Sequence, residues 1–190
     1  MAYIQLNNGL PGITGLLENR PYPAAPIREI TQILLRGENT LSEMERELIA
    51  TIVSFKNKCR FCTRAHAATV VALGGSPELI DRVNNDLENA PVSDKMKALL
   101  LIGSKVQENG RSVLPEHIQR AKNVGATDRE IHDTVLIAAL FCLYNRYVDG
   151  MGTYCPEDPA YYQKLAGRLV TAGYDRPKNP LERKGEENFK

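Results

Sequence analysis

The feature that most constrains this chain is its punctuation: helix starts recur along it, and strand signals are sparse. Ser42-x-x-Glu45 and Thr127-x-x-Glu130 are capping boxes, in which the hydroxyl accepts the N3 amide and the carboxylate reaches back to the N-cap amide. Behind the first, Met44, Leu48, Ile49, Ile52 and Val53 fall at helical spacing. Behind the second runs the apolar stretch Ile131 to Leu143. Ser76-Pro77-Glu78, Ser93-Asp94, Pro115-Glu116 and Asp158-Pro159 add N-caps, first-turn prolines and first-turn acids. Stops follow near Asn109-Gly110, before Gly125 and at Gly173. A further helix is expected from about Pro26 to Arg36. No run alternates Val, Thr and aromatics, and no Asn-Gly turn joins two such runs. The fold class is all-α, with about seven to nine helices of ordinary length.

A single domain is expected over 1–175, with an irregular N-terminal arm where Gly and Pro punctuate Asn7 to Gly15. The highly charged stretch Arg176 to Lys190 reads as a mobile tail. An internal repeat also suggests itself at an offset of 83 residues: Glu47, Leu48, Thr51, Ile52, Val53 and Cys59 align with Glu130, Ile131, Thr134, Val135, Leu136 and Cys142. Asn145 and Asp149 then stand where Cys62 and His66 would be.

The formal charge is +1 with no long basic block, so neither nucleic acid nor an acidic membrane surface is an expected partner. No apolar run is long enough to span a bilayer, and Met1 to Leu17 lacks a signal-peptide pattern. Four cysteines in 190 residues do not make a disulfide scaffold. A cytoplasmic protein with reduced thiols is the expectation, and there a C-x-x-C reads as redox-active or metal-binding.

Such a motif is present. Cys59, Cys62 and His66 form C-x-x-C-x-x-x-H, with Glu47 twelve positions before the first cysteine. If Arg60 to Ala72 is helical, ~100° per residue puts all three side chains within about 60° of arc on one face. Asn57 is expected to cap that helix, whose terminal partial charge favours a thiolate, with Lys58, Arg60 and Arg64 adding cationic surroundings. His66 can take a proton from Cys62, and Glu47 can orient the imidazole. A thiolate so formed attacks a peroxide O–O bond to give a sulfenic acid, which the second thiol converts to a disulfide that an external dithiol reduces. The helix terminus favours Cys59 as the attacking thiol and the i, i+4 histidine favours Cys62. The reading taken is that Cys62 attacks and Cys59 resolves. A zinc site would need a fourth ligand beyond Cys59, Cys62 and His66, so no metal or other cofactor is expected, while a C-x-x-C that only packs in a helical core is the bland alternative. Cys142 reads as a buried small hydrophobe, Cys155 as a loop thiol, and His117 and His132 as surface helix residues.

The spacing Glu47-x11-Cys59-x2-Cys62-x3-His66 resembles that of the alkylhydroperoxidase D (AhpD) and carboxymuconolactone decarboxylase superfamily. Pro11-Gly12-Ile13, Leu41 to Ile49, Ala65-His66-Ala67-Ala68, Asn145 to Asp149 and Ala172-Gly173-Tyr174 resemble its peroxidase-related branch, so the likeness runs roughly from residue 9 to 175. The resemblance implies an AhpD-like helical fold, homo-oligomers (trimers, or hexamers of dimers) and thiol peroxidase activity on hydrogen peroxide or organic hydroperoxides. It implies catalytic roles for Glu47, Cys59, Cys62 and His66, and a lipoyl or thioredoxin-like reductant as partner. Some members carry a histidine or tyrosine just before the second cysteine. Phe61 stands there in this chain, which implies slower turnover. Decarboxylase members generally lack the cysteine pair, which argues against lactone decarboxylation. The alternatives are a general dithiol–disulfide oxidoreductase and a non-catalytic helical scaffold with a structural or zinc-binding C-x-x-C.

Overall fold

The computed structural model describes residues 2–175; the tail expected to be mobile at 176–190 lies outside the described residues. Among the described residues there are nine α-helices and no strands. They are α1 (Gly12–Asn19), α2 (Pro21–Arg36), α3 (Glu43–Lys56), α4 (Arg60–Ala72), α5 (Pro77–Asn85), α6 (Asp94–Glu108), α7 (Pro115–Asn123), α8 (Asp128–Gly150) and α9 (Pro159–Ala172). None of them is long and apolar enough to cross a membrane.

The caps form where the sequence places them. The Ser42 hydroxyl accepts from Glu45 N while the Glu45 carboxylate accepts from Ser42 N at 2.8 Å. Thr127 and Glu130 repeat that reciprocal pair at the head of α8. Ser76, Ser93 and Asp158 cap α5, α6 and α9. Helix α3 is the centre: every residue from Arg46 to Ser54 is buried, because α2, α4, α5, α6 and α8 all pack on it. A helix enclosed on all sides carries its polar groups into the core only if they find partners there. Glu47 and Arg46 do so, and this positions the site.

The N-terminal arm departs from expectation, because α1 forms over Gly12–Asn19. Gly12, Thr14 and Gly15 are weak helix formers, so the helix depends on tertiary support. Leu16 and Leu17 are buried, and Gly12 N–H donates to the Tyr154 carbonyl at 2.9 Å. Gly12 has φ +55°, and a Cβ there would sit 2.4 Å from the Phe61 ring, so only glycine permits this approach. Helix α2 also starts early, at Pro21. Pro21 and Pro23 fall in the first turn, where their missing N–H groups have no intrahelical partner to lose.

The repeat is not kept in register at the glutamates. Glu130 is the N3 carboxylate of its own capping box, whereas Glu47 lies two positions deeper in α3 than the capping Glu45. Glu130 accepts from Thr127 N, Thr40 Oγ1 and Lys95 Nζ, and none of these is a counterpart of the partners of Glu47.

Candidate active site

Helix α4 runs from Arg60 to Ala72, so Cys62 and His66 stand one turn apart on one face, and Cys59 is its N-cap. Asn57 does not cap this helix; it ends α3 instead. The link is only three residues long and turns through Lys58 at φ +60°. A left-handed residue without a glycine costs about 1–2 kcal/mol, which the flanking contacts must hold. Cys59, Cys62, His66 and Glu47 are all buried, Glu47 completely. Both cysteines are free thiols.

Glu47 is the hub. Its Oε2 lies 2.6 Å from His66 Nδ1, while its Oε1 accepts from Arg36 Nη2 at 2.7 Å and from the Tyr174 hydroxyl at 2.6 Å. Burial alone pushes the Glu47 carboxyl up, but His66, Arg36 and Tyr174 together hold it below its ordinary value. With Nδ1 committed to an ionised Glu47, Nε2 is the nitrogen left to accept a proton. The imidazole is held edge-on by Phe141 at 4.5 Å between ring centroids and stacked by Tyr174 at 6.3 Å. Burial, then the charge of Glu47, pushes the Tyr174 phenol well up, so it stays a hydrogen-bond donor. Arg36 lies 5.0 Å over the Tyr174 ring.

A cavity of about 70 Å³ opens onto this face, several times the ~10–15 Å³ one water needs. Cys62, His66, Phe61, Phe141 and Tyr144 line it, and Cys59 does not. The Tyr144 phenol, pushed up to about 12 by burial, is bonded to Thr31 Oγ1 and to the Ile27 carbonyl. Hydrogen bonding to Cys62, and then burial, pushes the Cys59 thiol far above its ordinary range. Burial and the neighbouring Cys62 thus favour the thiol form of Cys59. Both thiols are buried, and Cys62 is the one that lines the cavity.

The cationic surroundings expected from neighbouring side chains are spent elsewhere. Arg60 and Arg64 both pair with Glu157, at 2.6 and 3.0 Å, and Lys58 is exposed. The cation paired with Glu47 is Arg36, eleven residues before it on α2, which no local spacing marked, and Arg28 and Arg168 line the cavity. Phe141 was legible only as a member of the apolar run Ile131 to Leu143, and Tyr144 lies just past its end. Tyr174 was part of the resemblance without a role. His132 is exposed and His117 half-buried, where its Nδ1 accepts Leu114 N at 3.0 Å. Cys142 is only half-buried, and Cys155 lies in the link before α9. Among the described residues, no group of three or more His, Cys, Asp or Glu side chains is arranged to hold a metal ion.

With that geometry in place, the comparisons with known proteins acquire meaning. Residues 24–103 match the model of the carboxymuconolactone decarboxylase family. The matched segment carries Arg36, Glu47, Cys59, Cys62 and His66 and stops before α8 and α9. Among solved structures, the chain is 25% identical to an uncharacterised peroxidase-related protein from Silicibacter sp. TM1040, with a TM-score of 0.72 over 80% of this chain and 78% of that one. It is 24% identical to the alkylhydroperoxidase AhpD core of an uncharacterised peroxidase-related protein from Ralstonia eutropha JMP134, with a TM-score of 0.73 over 83% and 81%. A protein of unknown function from Agrobacterium tumefaciens shares the fold at 18% identity and a TM-score of 0.65, over 75% of this chain and 97% of that one. No protein of curated function matches the chain significantly. The fold is the AhpD-like all-helical one.

Proposed function

We propose that this protein is a thiol-dependent peroxidase that reduces hydrogen peroxide or an organic hydroperoxide through Cys62 and Cys59. The observation that carries the reading is a cavity reaching Cys62 beside an imidazole whose other nitrogen is pinned by a buried carboxylate. Cys62 gives its proton to His66 Nε2 and attacks one peroxide oxygen. The O–O bond breaks, and the departing oxygen takes the proton back as water or alcohol. Cys62 is left as a sulfenic acid. Cys59, three residues before Cys62 at the head of the same helix, attacks that sulfur, forming the disulfide and releasing water. An external dithiol, lipoyl or thioredoxin-like, restores both thiols by exchange. The burial of Glu47 and His66 strengthens their pairing relative to the same pair in water. The assembly proposed on the resemblance is a trimer or hexamer, and the compartment the cytoplasm.

Peroxide consumption with dithiothreitol as donor should collapse by ~10³-fold or more in Cys62→Ser and in Cys59→Ser. Wild-type rates in both variants contradict the proposal. Rapid disulfide exchange by a wild-type protein that consumes no peroxide selects the general oxidoreductase instead.

A further inference from the structure

The cavity that reaches Cys62 has a wall that the thiol chemistry does not use. Ile13 and Leu17 of α1 and Leu165 and Leu169 of α9 line it together with Phe61 and Phe141, so most of its surface is apolar. Two guanidinium groups join that lining, Arg28 from α2 and Arg168 from α9. Among the described residues, no Asp or Glu lines the cavity. The hydroxyls of Thr31 and Tyr144 are bonded to each other and both donate to or reach the Ile27 carbonyl, while the Tyr174 hydroxyl donates to Glu47. Arg28 is held in place by a residue outside the lining: its Nη2 donates to Glu18 Oε1 of α1 at 2.5 Å. That bond engages one of the five N–H donors of a guanidinium. Cys62 and His66 are buried, whereas Arg28 and Arg168 are half-buried, so the two cations stand on the solvent side of the cavity.

This combination discriminates between substrates. Hydrogen peroxide has no carbon frame and uses neither the apolar wall nor the arginines. An uncharged organic hydroperoxide fills the wall, but it displaces water from two cations without replacing it, which opposes binding. A carboxylate on the frame reverses that effect, because a planar guanidinium takes it through charge-assisted hydrogen bonds, two at a time where the geometry allows. Binding at such a remote group speeds the chemical step when it holds the reacting O–O bond against Cys62.

Resting on the peroxidase reading above, we infer that the substrate is an organic hydroperoxide bearing a carboxylate on an apolar frame, with Arg28 and Arg168 receiving the carboxylate and the aliphatic and aromatic wall receiving the frame. The carboxylate takes no part in the electron transfer. Cys62 is oxidised to the sulfenic acid as the O–O bond breaks, the hydroperoxide is reduced to the corresponding alcohol, and the proton that left Cys62 ends on that alcohol. Arg28 and Arg168 set which hydroperoxide is used, and Cys62, His66 and Glu47 set how it is reduced.

The test compares para-carboxycumene hydroperoxide with its methyl ester, which keeps the hydroperoxide and removes the charge, on the full chain with dithiothreitol as donor. Wild-type kcat/KM should be ~10–100-fold higher for the acid, mostly through KM, and the preference should shrink as sodium chloride is raised. Arg28→Gln and Arg168→Gln should each lower the acid-to-ester ratio. Because Arg28→Gln also removes the ion pair that ties α1 to α2, the wild-type ratio and Arg168→Gln decide the matter. A wild-type ratio of one or below overturns the inference, and so does an undiminished ratio in Arg168→Gln. A second arm needs no peroxide chemistry: para-isopropylbenzoate should bind more tightly than its amide by calorimetry and should slow alkylation of Cys62 by N-ethylmaleimide. Equal binding of the benzoate and the amide overturns the anion site. If wild type consumes neither hydroperoxide while the benzoate still binds and protects Cys62, the peroxidase reading falls and the anion site stands.

Discussion

Glu47 organises the site because its two oxygens are committed to different tasks. One fixes the tautomer of His66, and the other is shared by Arg36 and Tyr174. A completely buried carboxylate is tolerable only with such partners, since an unpaired charge in the interior costs several kcal/mol. Removing them has graded consequences. Tyr174→Phe loses one hydrogen bond to a charged group and should lower unfolding free energy by about 1.5–3 kcal/mol in urea denaturation. Glu47→Gln leaves the Arg36 guanidinium, only 5% exposed, with the more distant Glu43 carboxylate at 3.4 Å as its remaining counter-charge. The expected cost is about 3–5 kcal/mol, with peroxide turnover down ~10–100-fold as His66 loses its orientation. Equal stability of Glu47→Gln and wild type would contradict the hub assignment.

At the scale of elements, local chemistry and tertiary contact divide the fold between them. Helices with a side-chain cap were legible in the sequence because a hydroxyl or carboxylate three residues from its amide is a local event. Helix α1 was not, since its glycines argue against it and only Leu16, Leu17 and the contact with Phe61 hold it. The end of α9 is a case where one residue sets a long-range contact. Gly173, at φ +68° and ψ −154°, occupies a region open essentially to glycine. It turns the chain so that Tyr174 N–H donates to Gln32 Oε1 at 2.7 Å and its hydroxyl reaches Glu47. Gly173→Ala should cost about 1–3 kcal/mol in thermal or urea unfolding and reduce turnover through Tyr174.

The head of α8 supplies a pH dependence. Burial opposes the charge on Glu130, but Lys95, Thr127 and Thr40 hold its carboxyl at about 2. A carboxyl depressed in the folded state contributes stability that is full above its unfolded value and lost as pH falls through the folded one. Urea midpoints should therefore decline between about pH 4.5 and 2, and Glu130→Gln should flatten part of that decline. An unaltered acid limb in the variant would remove Glu130 from the account.

For the whole molecule, α1 and α9 both reach α4, the first through Gly12 against Phe61. Cys59, Cys62, His66 and Glu47 were legible because two adjacent helices bring them together at spacings that a 3.6-residue turn predicts. Arg36, Phe141 and Tyr174 come from α2, α8 and the segment after α9, at separations no periodicity encodes. They complete what the motif begins: a counter-charge, a ring to hold the imidazole and a donor to the carboxylate. The central claim is that Cys59 and Cys62 alone form the redox couple, and it is tested most directly by titrating thiols before and after one equivalent of hydrogen peroxide. Four thiols per chain should fall to two, with Cys59 joined to Cys62 by peptide mapping, and dithiothreitol should restore all four. Four thiols still present after peroxide, or a loss confined to Cys142 and Cys155, would contradict it.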